Sequence, residues 1–367
     1  MKKIVIVQNS IKTTYNFRRH YIMKALKFNK VAVIAPNDDE FSKQSLENLG
    51  VQVYTLPMMS SLFSKVASFF LLNIYIFRER LNGSVFICHF LTTFVLSFFT
   101  LAPFNNKLII YTEGLGSFFS NKVIPRSILR FFLVSERYTR LFCNLSERKA
   151  LGRDSDIVTG GIGIELPEFP LKVEVKTNDE YQLLYVGRLL KDKGVVDAIC
   201  VFRTLKDKGY SVKLNLVGDI YKNNPSSLSD KDVQSLKSEF GTSINFVGYT
   251  EDVLTWYNNS HVLLLPSIRE GFPVCVMEAS SVGVPTVGYD VDGVNSAVVP
   301  HKNGLLAEQK NIEHLTKLTE KLLSTDVLNK YRLSCSQHAN NHFDIEPKSE
   351  QILDIVNDLY SKKNPTC

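Results

Sequence analysis

Short runs of β-branched residues alternate with longer amphipathic stretches in this chain of 367 residues, and the alternation occurs twice, on either side of one interruption. Lys3–Val7 reads as a strand and Asn16–Lys27 as a helix with apolar Tyr21, Met23 and Leu26. Val31–Ala35 (strand), Phe41–Leu49 (helix) and Val51–Leu56 (strand) follow, then buried strands at Val85–His89 and Leu108–Tyr111. The pattern pauses at 160–181, where three glycines and two prolines precede polar residues, a composition that suits a linker. It resumes with strands at Leu183–Val186, Lys213–Val217, Asn245–Val247, Val262–Leu265 and Thr286–Gly288. Helices are expected at Gly194–Lys206 and Asp230–Glu239, Glu278–Val282 continues the series, and a last helix runs about Glu346–Leu359. Such alternation builds parallel sheets covered on both faces. The expected fold class is therefore α/β, with two Rossmann-like doubly wound domains and a cleft beyond the carboxyl ends of their strands. The expected boundaries are 1–165, a linker at 166–181, 182–345, and a terminal segment 346–367 that crosses back to the first domain.

Charge is divided between the two halves. Residues 1–160 carry 21 Lys and Arg against 10 Asp and Glu, and the remainder carry 22 against 27. An anionic partner is expected for the front half, and nucleic acid, anionic lipid and phosphorylated substrates all satisfy that charge. Cysteines at 88, 143, 200, 275, 335 and 367 have no metal-binding spacing, so reduced, mostly buried thiols are expected. The opening MKKIVIVQNS has too short an apolar run for a signal peptide. Ser84–Phe104 is 21 residues without a charge, long enough to span a bilayer. It also holds His89, several Ser and Thr and a proline, and reads as a buried strand followed by a helix at Leu91–Leu101.

The strongest chemical signal is Arg269-Glu270-Gly271-Phe272-Pro273-Val274-Cys275-Val276-Met277-Glu278 after the strand Val262–Leu265. Glu270 falls in a strand-to-helix loop and Glu278 about two turns into the helix. The amides from Gly271 to Val274 then lie at a helix N-terminus, where anions and hydroxyls bind. Two carboxylates beside it can each accept two hydroxyl hydrogen bonds, as a sugar and a ribose require. A second signal is Gly187-Arg188-Leu189-Leu190-Lys191-Asp192-Lys193-Gly194, where Arg188 and Lys193 straddle a turn at a strand end. Two cations beside glycines suit a diphosphate.

In spacing, order and context these residues resemble the retaining glycosyltransferases of family GT4. Leu216-Val217-Gly218-Asp219 and Phe246-Val247-Gly248-Tyr249 fit the same pattern. In the front half, Asn16-Phe17-Arg18, Tyr111-Thr112-Glu113-Gly114-Leu115-Gly116, Asn144 and Gly160–Ile164 resemble one branch more loosely. That branch transfers sugars to polyprenyl-diphosphate-linked saccharides in bacterial surface-glycan synthesis. Two departures stand out. Gln8-Asn9-Ser10-Ile11-Lys12 replaces a Gly-rich loop, and Thr112-Glu113-Gly114 stands where many members have a histidine.

The resemblance implies a GT-B fold and a retaining enzyme that uses a nucleotide-sugar, a UDP-sugar by preference, as donor substrate. It implies no cofactor and no metal, and the chain has no Asp-x-Asp motif. Carried over by position, Arg188 and Lys193 neutralise the diphosphate, Glu278 binds the ribose and Glu270 the donor sugar. Gly187, Gly218, Gly271, Phe272, Pro273 and Val274 line the donor, and Val247, Gly248, Tyr249 and Thr250 flank the base. Glu113 is a candidate base or orienting group. Asn9, Asn16, Arg18, His89, Gly114 and Gly116 are candidate acceptor contacts, and Arg18, Arg19 and His20 could meet acceptor phosphates.

Two stretches look membrane-directed: Met58–Arg80, rich in Phe and Leu with Lys65, Arg78 and Arg80, and Pro125–Leu141, where arginines interleave with apolar residues. The expected partners are the donor, a lipid-linked saccharide and an anionic membrane surface, with no nucleic acid. The expected location is the cytoplasmic face of the cell membrane. A UDP-sugar 2-epimerase on the same fold and a non-catalytic scaffold are the alternatives. The first needs a histidine-rich cleft, and the second has no need of Glu270, Glu278, Arg188 and Lys193 together.

Overall fold

A computed structural model of the chain describes residues 2–58, 60–102, 107–114, 130, 132–133, 135–166, 180–221 and 224–361. Gly116, most of the 166–181 linker and part of the 125–141 stretch lie outside the described residues. The chain divides into two compact units, Met1–Ile162 with Ile345–Cys367, and Gly163–Asp344.

The first unit is built on strands β1 (Lys3–Val7), β2 (Lys30–Pro36), β3 (Gln52–Leu56), β4 (Val85–His89), β5 (Leu108–Thr112), β6 (Thr139–Phe142) and β7 (Ile157–Val158). They form one parallel sheet in the order β3-β2-β1-β4-β5-β6-β7. The central strands are continuous apolar runs because helices cover both faces of such a sheet. Every residue of β4 and β5 is buried. Val5, Val7, Phe86, Cys88, Leu108 and Ile110 pack with Leu72 and Ile76 of the helix Leu62–Leu81 in one cluster. Ser84–Phe104 holds strand β4 and the helix Leu91–Leu101, as its polar content required, and no described helix is long and apolar enough to cross a membrane.

The first helix runs Ile11–Leu26 and begins five residues ahead of the expected start. Ser10 accepts the N–H of Thr13 at 3.0 Å, and Asp38 accepts the N–H groups of Ile11 and Lys12 at 2.8 and 3.1 Å. A cap from 27 residues away supplies what the poor helix formers Thr13 and Thr14 do not. Asn16 and Arg18 therefore sit inside this helix, and the last helix, Ile345–Ser361, packs against it.

The second unit has strands β8 (Tyr181–Val186), β9 (Val212–Val217), β10 (Ile244–Gly248), β11 (Val262–Leu265), β12 (Thr286–Tyr289) and β13 (Gly304–Ala307). Their order is β10-β9-β8-β11-β12-β13, again parallel throughout. Strand order reverses between β1 and β4 in the first unit and between β8 and β11 in the second. Open α/β sheets bind ligands at the carboxyl ends of strands at such points.

Candidate active site

In the second unit, β8 ends at Val186 and is followed by Gly187, whose N–H meets the Val217 carbonyl at 2.9 Å. Gly218 lies so close that a Cβ there would stand 1.9 Å from the Gly187 carbonyl oxygen, and its φ of +141° suits only glycine. The two strand ends thus meet backbone to backbone. The loop after β8 is held from below by the buried Tyr185, whose hydroxyl donates to the carbonyls of Arg188 at 2.8 Å and Lys193 at 3.3 Å. Arg188 is exposed and lies over the Tyr221 ring at 5.8 Å.

The loop closes in a tight turn at Lys191–Lys193 before the helix Val195–Asp207. Gly194 ends that turn at φ +81°, and a Cβ there would lie 2.1 Å from the Pro266 carbonyl oxygen. This approach sets the turn against the loop that follows β11. Lys193 Nζ then donates to Glu270 at 2.6 Å, while Ser267 Oγ donates to the other Glu270 oxygen at 2.6 Å. Gly194→Ala is expected to cost about 1–3 kcal/mol through that clash and the positive φ. Thermal unfolding of the variant checks this, and an unchanged melting midpoint would contradict it.

Glu270 precedes the helix Val274–Ser281, whose N-cap is Pro273 and whose first turn has no side-chain cap. The helix begins just after Pro273, as expected, with Gly271 and Phe272 in the loop, but Glu278 lies one turn in, not two. Its partner is the buried Tyr257, whose hydroxyl donates to Glu278 Oε2 at 2.7 Å. Burial pushes the Glu278 carboxyl above the ordinary carboxylate range, and the Tyr257 hydroxyl only partly offsets it. Beyond β9, Asp219 Oδ1 accepts the Tyr249 N–H at 2.9 Å and so shapes the Val247–Thr250 turn. The result is an anion-friendly helix start flanked by Lys193, Glu270 and Glu278.

In the first unit, three residues from distant parts of the sequence converge at the carboxyl ends of β4 and β5. Glu113 forms an ion pair with Arg18, and its other oxygen meets His89 Nδ1 at 2.6 Å. His89 Nε2 meets the Tyr21 hydroxyl at 2.9 Å. Burial, with Arg18 close by, drives the His89 pKa down to about 4, so the imidazole is neutral at physiological pH. Burial alone would raise Glu113, but Arg18 and His89 outweigh it and hold its carboxyl below the usual range. Asn16 is exposed on the opposite face of its helix from the buried Arg18, so the fold does not bring these two side chains together. Asn9 is exposed and Gly114 part-exposed at the same sheet edge. His20 and Lys24 face Glu346 of the last helix, and Lys348 donates to the Thr159 and Gly160 carbonyls at 2.6 and 2.8 Å.

Tyr185, Ser267 and Tyr257 were not among the expected site residues. Ser267 stands three residues before Glu270, a local spacing at which such side chains pair. Tyr257 is 21 residues from Glu278 and leaves no local trace.

Residues 169–342 match the family described as glycosyl transferases group 1. The capsular polysaccharide biosynthesis glycosyltransferase CapM of Staphylococcus aureus is 31% identical over 173 residues, 45% of this chain and 44% of that protein. A protein of Campylobacter jejuni is 29% identical over 353 residues, 89% of each chain. It is named as an N,N'-diacetylbacillosaminyl-diphospho-undecaprenol alpha-1,3-N-acetylgalactosaminyltransferase. The crystal structure of Anabaena Alr3699/HepE in complex with UDP and glucose superposes with a TM-score of 0.74 at 16% identity, over 98% of this chain and 100% of that one. Two parallel Rossmann-like sheets with this sequence pattern define a glycosyltransferase of GT-B fold. Residues 169–342 thus carry the group 1 glycosyltransferase pattern, of GT4 type, and similar proteins are named for capsule synthesis and for an undecaprenyl-diphosphate-linked sugar.

Proposed function

We propose that this enzyme moves an N-acetylhexosamine or hexose from a UDP-sugar to a lipid-linked saccharide in surface-polysaccharide synthesis, with retention of anomeric configuration. The observation that carries the reading is the Lys193–Glu270 pair at the start of the helix that bears Glu278. Lys193 and Arg188 take the diphosphate, Glu270 and the 271–274 backbone take the sugar, and Glu278 takes the ribose. The Val247–Thr250 turn flanks the base. Residues 1–165 take the acceptor and 182–345 the donor. The bond from the anomeric carbon to the diphosphate breaks and the diphosphate keeps the electron pair. The acceptor hydroxyl oxygen bonds to that carbon on the same face, and its proton passes to the leaving diphosphate. Fixed cations aimed at the charge that develops lower the barrier. The UDP in the HepE complex and the acceptor in the Campylobacter protein's name support these choices.

Donor choice is tested by thermal shift with UDP, GDP and ADP. A ligand bound only to the native state raises the melting midpoint. UDP is expected to stabilise the wild type and to have little effect on Arg188→Ala. Equal stabilisation of both proteins, or none by any nucleotide, would count against the reading.

The same proposal places the enzyme at the cytoplasmic membrane face, and the helix Leu62–Leu81 supports it. Ser68, Leu72, Ile76 and Glu79 are its buried stripe. Leu62, Phe63, Val66, Phe69, Phe70, Ile74, Phe77 and Leu81 are exposed. At 100° per residue these cover about 140° of the helix, with Lys65 on one flank and Arg78 on the other. Glu79 is turned inward, paired with Lys3 at 2.7 Å. An apolar stripe between cations suits an anionic interface. Co-sedimentation with phosphatidylglycerol vesicles is expected for the wild type and lost in the triple variant Phe63→Ser, Phe70→Ser, Phe77→Ser. Equal binding by both would refute this placement.

A further inference from the structure

Glu270 and Glu278 are held in different ways. Each Glu270 oxygen has its own partner, Lys193 Nζ on one and Ser267 Oγ on the other. Glu278 has one side-chain partner among the described residues, the Tyr257 hydroxyl, which donates to Oε2 at 2.7 Å. No Lys or Arg among those residues favours the Glu278 anion, so Tyr257 alone works against the burial that pushes its carboxyl up. Glu278 is part-exposed, and its Oε1 is free to accept from a ligand.

Tyr257 belongs to a segment that starts at the Val247–Thr250 turn. Thr250 Oγ1 accepts the Asp252 N–H at 3.1 Å, and Asp252 Oδ1 accepts the Thr255 N–H at 3.1 Å, capping the helix Val253–Asn258. Tyr257 is the penultimate residue of that helix and is fully buried in the core of the second unit. Close packing leaves such a ring one orientation. Its hydroxyl is therefore a fixed point, carried by the same short segment that leaves the turn. Asp219 holds the turn itself through the Tyr249 N–H.

A glutamate side chain has three rotatable bonds, and a ligand that must freeze them binds less tightly. The hydrogen bond to Oε2 freezes them in advance. Because the carboxylate is planar, holding one oxygen also aims the other.

We infer that Tyr257 is a positioning residue: its hydroxyl aims Glu278 so that Oε1 accepts from the ribose of a nucleotide whose base lies at the Val247–Thr250 turn. The inference rests on the proposed donor site. Tyr257 itself touches no substrate. It acts through Glu278, so its removal should be felt by the ribose hydroxyls and not by the base or the diphosphate.

Isothermal titration calorimetry with UDP and with 2′,3′-dideoxy-UDP tests this. The ratio of the two dissociation constants reports the ribose hydroxyls, since base and diphosphate are common to both ligands. The wild type is expected to favour UDP by about tenfold or more, the effect of a hydrogen bond to a charged group. Tyr257→Phe keeps the ring, and the preference should fall by about fivefold or more. In a Glu278→Gln background, Tyr257→Phe should leave the ratio unchanged, because the hydroxyl then has no carboxylate to aim. Loosened packing would weaken both nucleotides alike, so the ratio separates positioning from fold, and melting curves on the same samples record the fold directly. A preference for UDP that survives Tyr257→Phe would overturn the inference and leave the donor site standing. So would a further fall of the ratio in the Glu278→Gln background, or a wild type that binds both ligands equally. A wild type that does not bind UDP would overturn the donor reading, and the inference with it.

Discussion

Lys193→Ala is expected to slow sugar transfer by a factor on the order of 10²–10³ while leaving the protein folded. Lys193 lies 2.6 Å from Glu270, and the two side chains are 24% and 15% exposed. The pair is partly buried, but Glu270 keeps the Ser267 hydroxyl at 2.6 Å when the ammonium is removed, so its carboxylate is not stranded. The value of the pair lies in position. The Lys191–Lys193 turn is fixed by the Tyr185 hydroxyl below and by the Gly194 approach to Pro266. On the proposed mechanism the ammonium is therefore already in place when negative charge develops on the leaving diphosphate. The rate at saturating donor and acceptor checks this, with a melting curve as control. Lys193→Arg keeps the charge but not the compact point geometry, so partial activity is expected. A variant with an unchanged rate would remove Lys193 from the reacting centre.

Glu113→Ala is expected to destabilise the first unit by about 3–5 kcal/mol, because it strands a buried guanidinium. Arg18 is 3% exposed and relies on Glu113 as its ion-pair partner. The melting midpoint should fall by on the order of 10 °C. Replacing both residues, as Arg18→Met with Glu113→Leu, should recover much of that loss, since no charge is then left unpaired. The pH dependence follows from the direction of the shift. The Glu113 carboxyl is held below its ordinary value of 4.5, so the stability it contributes is complete above that value. It is lost as pH falls through the depressed folded value, in the acid range. Wild-type melting should drop there, and Glu113→Gln should drop less. If Glu113→Ala melts with the wild type, the Arg18–Glu113 pair is not what holds this edge of the sheet together. A carboxylate held down in this way is also a weak proton acceptor. Any contribution of Glu113 to transfer would then come from orienting Arg18 and His89.

Ten of the thirteen described strands were legible in the sequence because buried parallel strands are continuous apolar runs. Gly304–Ala307 was not, and Thr139–Phe142 lies partly in the 125–141 stretch expected to be a basic-aromatic helix, where Arg140 is instead buried against Asp156. Val85–His89 and Val262–Leu265 appear where expected. The two-residue strand Ile157–Val158 and the six-residue helix Val253–Asn258 were not legible, since both are too short to show a period. The start of the first helix was misplaced because Asp38, remote in sequence, caps it. At the proposed donor site, Lys193, Glu270 and Glu278 stand out in the sequence by glycine spacing and strand-to-helix context. The Tyr257–Glu278 contact was not, because only the fold joins them. In the first unit, Arg18, His89 and Glu113 looked like three unrelated residues. Their meeting depends on the pairing of β4 with β5 and on the helix that precedes β2, which no local pattern encodes.

The most direct measurement of the central claim is mass spectrometry of the lipid product. The purified enzyme would be incubated with N,N'-diacetylbacillosaminyl-diphospho-undecaprenol and, separately, UDP-N-acetylglucosamine, UDP-N-acetylgalactosamine, UDP-glucose and UDP-galactose. The account predicts that one donor extends the acceptor by a single sugar, with one UDP released per transfer, and that Lys193→Ala nearly abolishes it. No extension and no UDP release with any donor, from a protein that also fails to bind UDP, would contradict it.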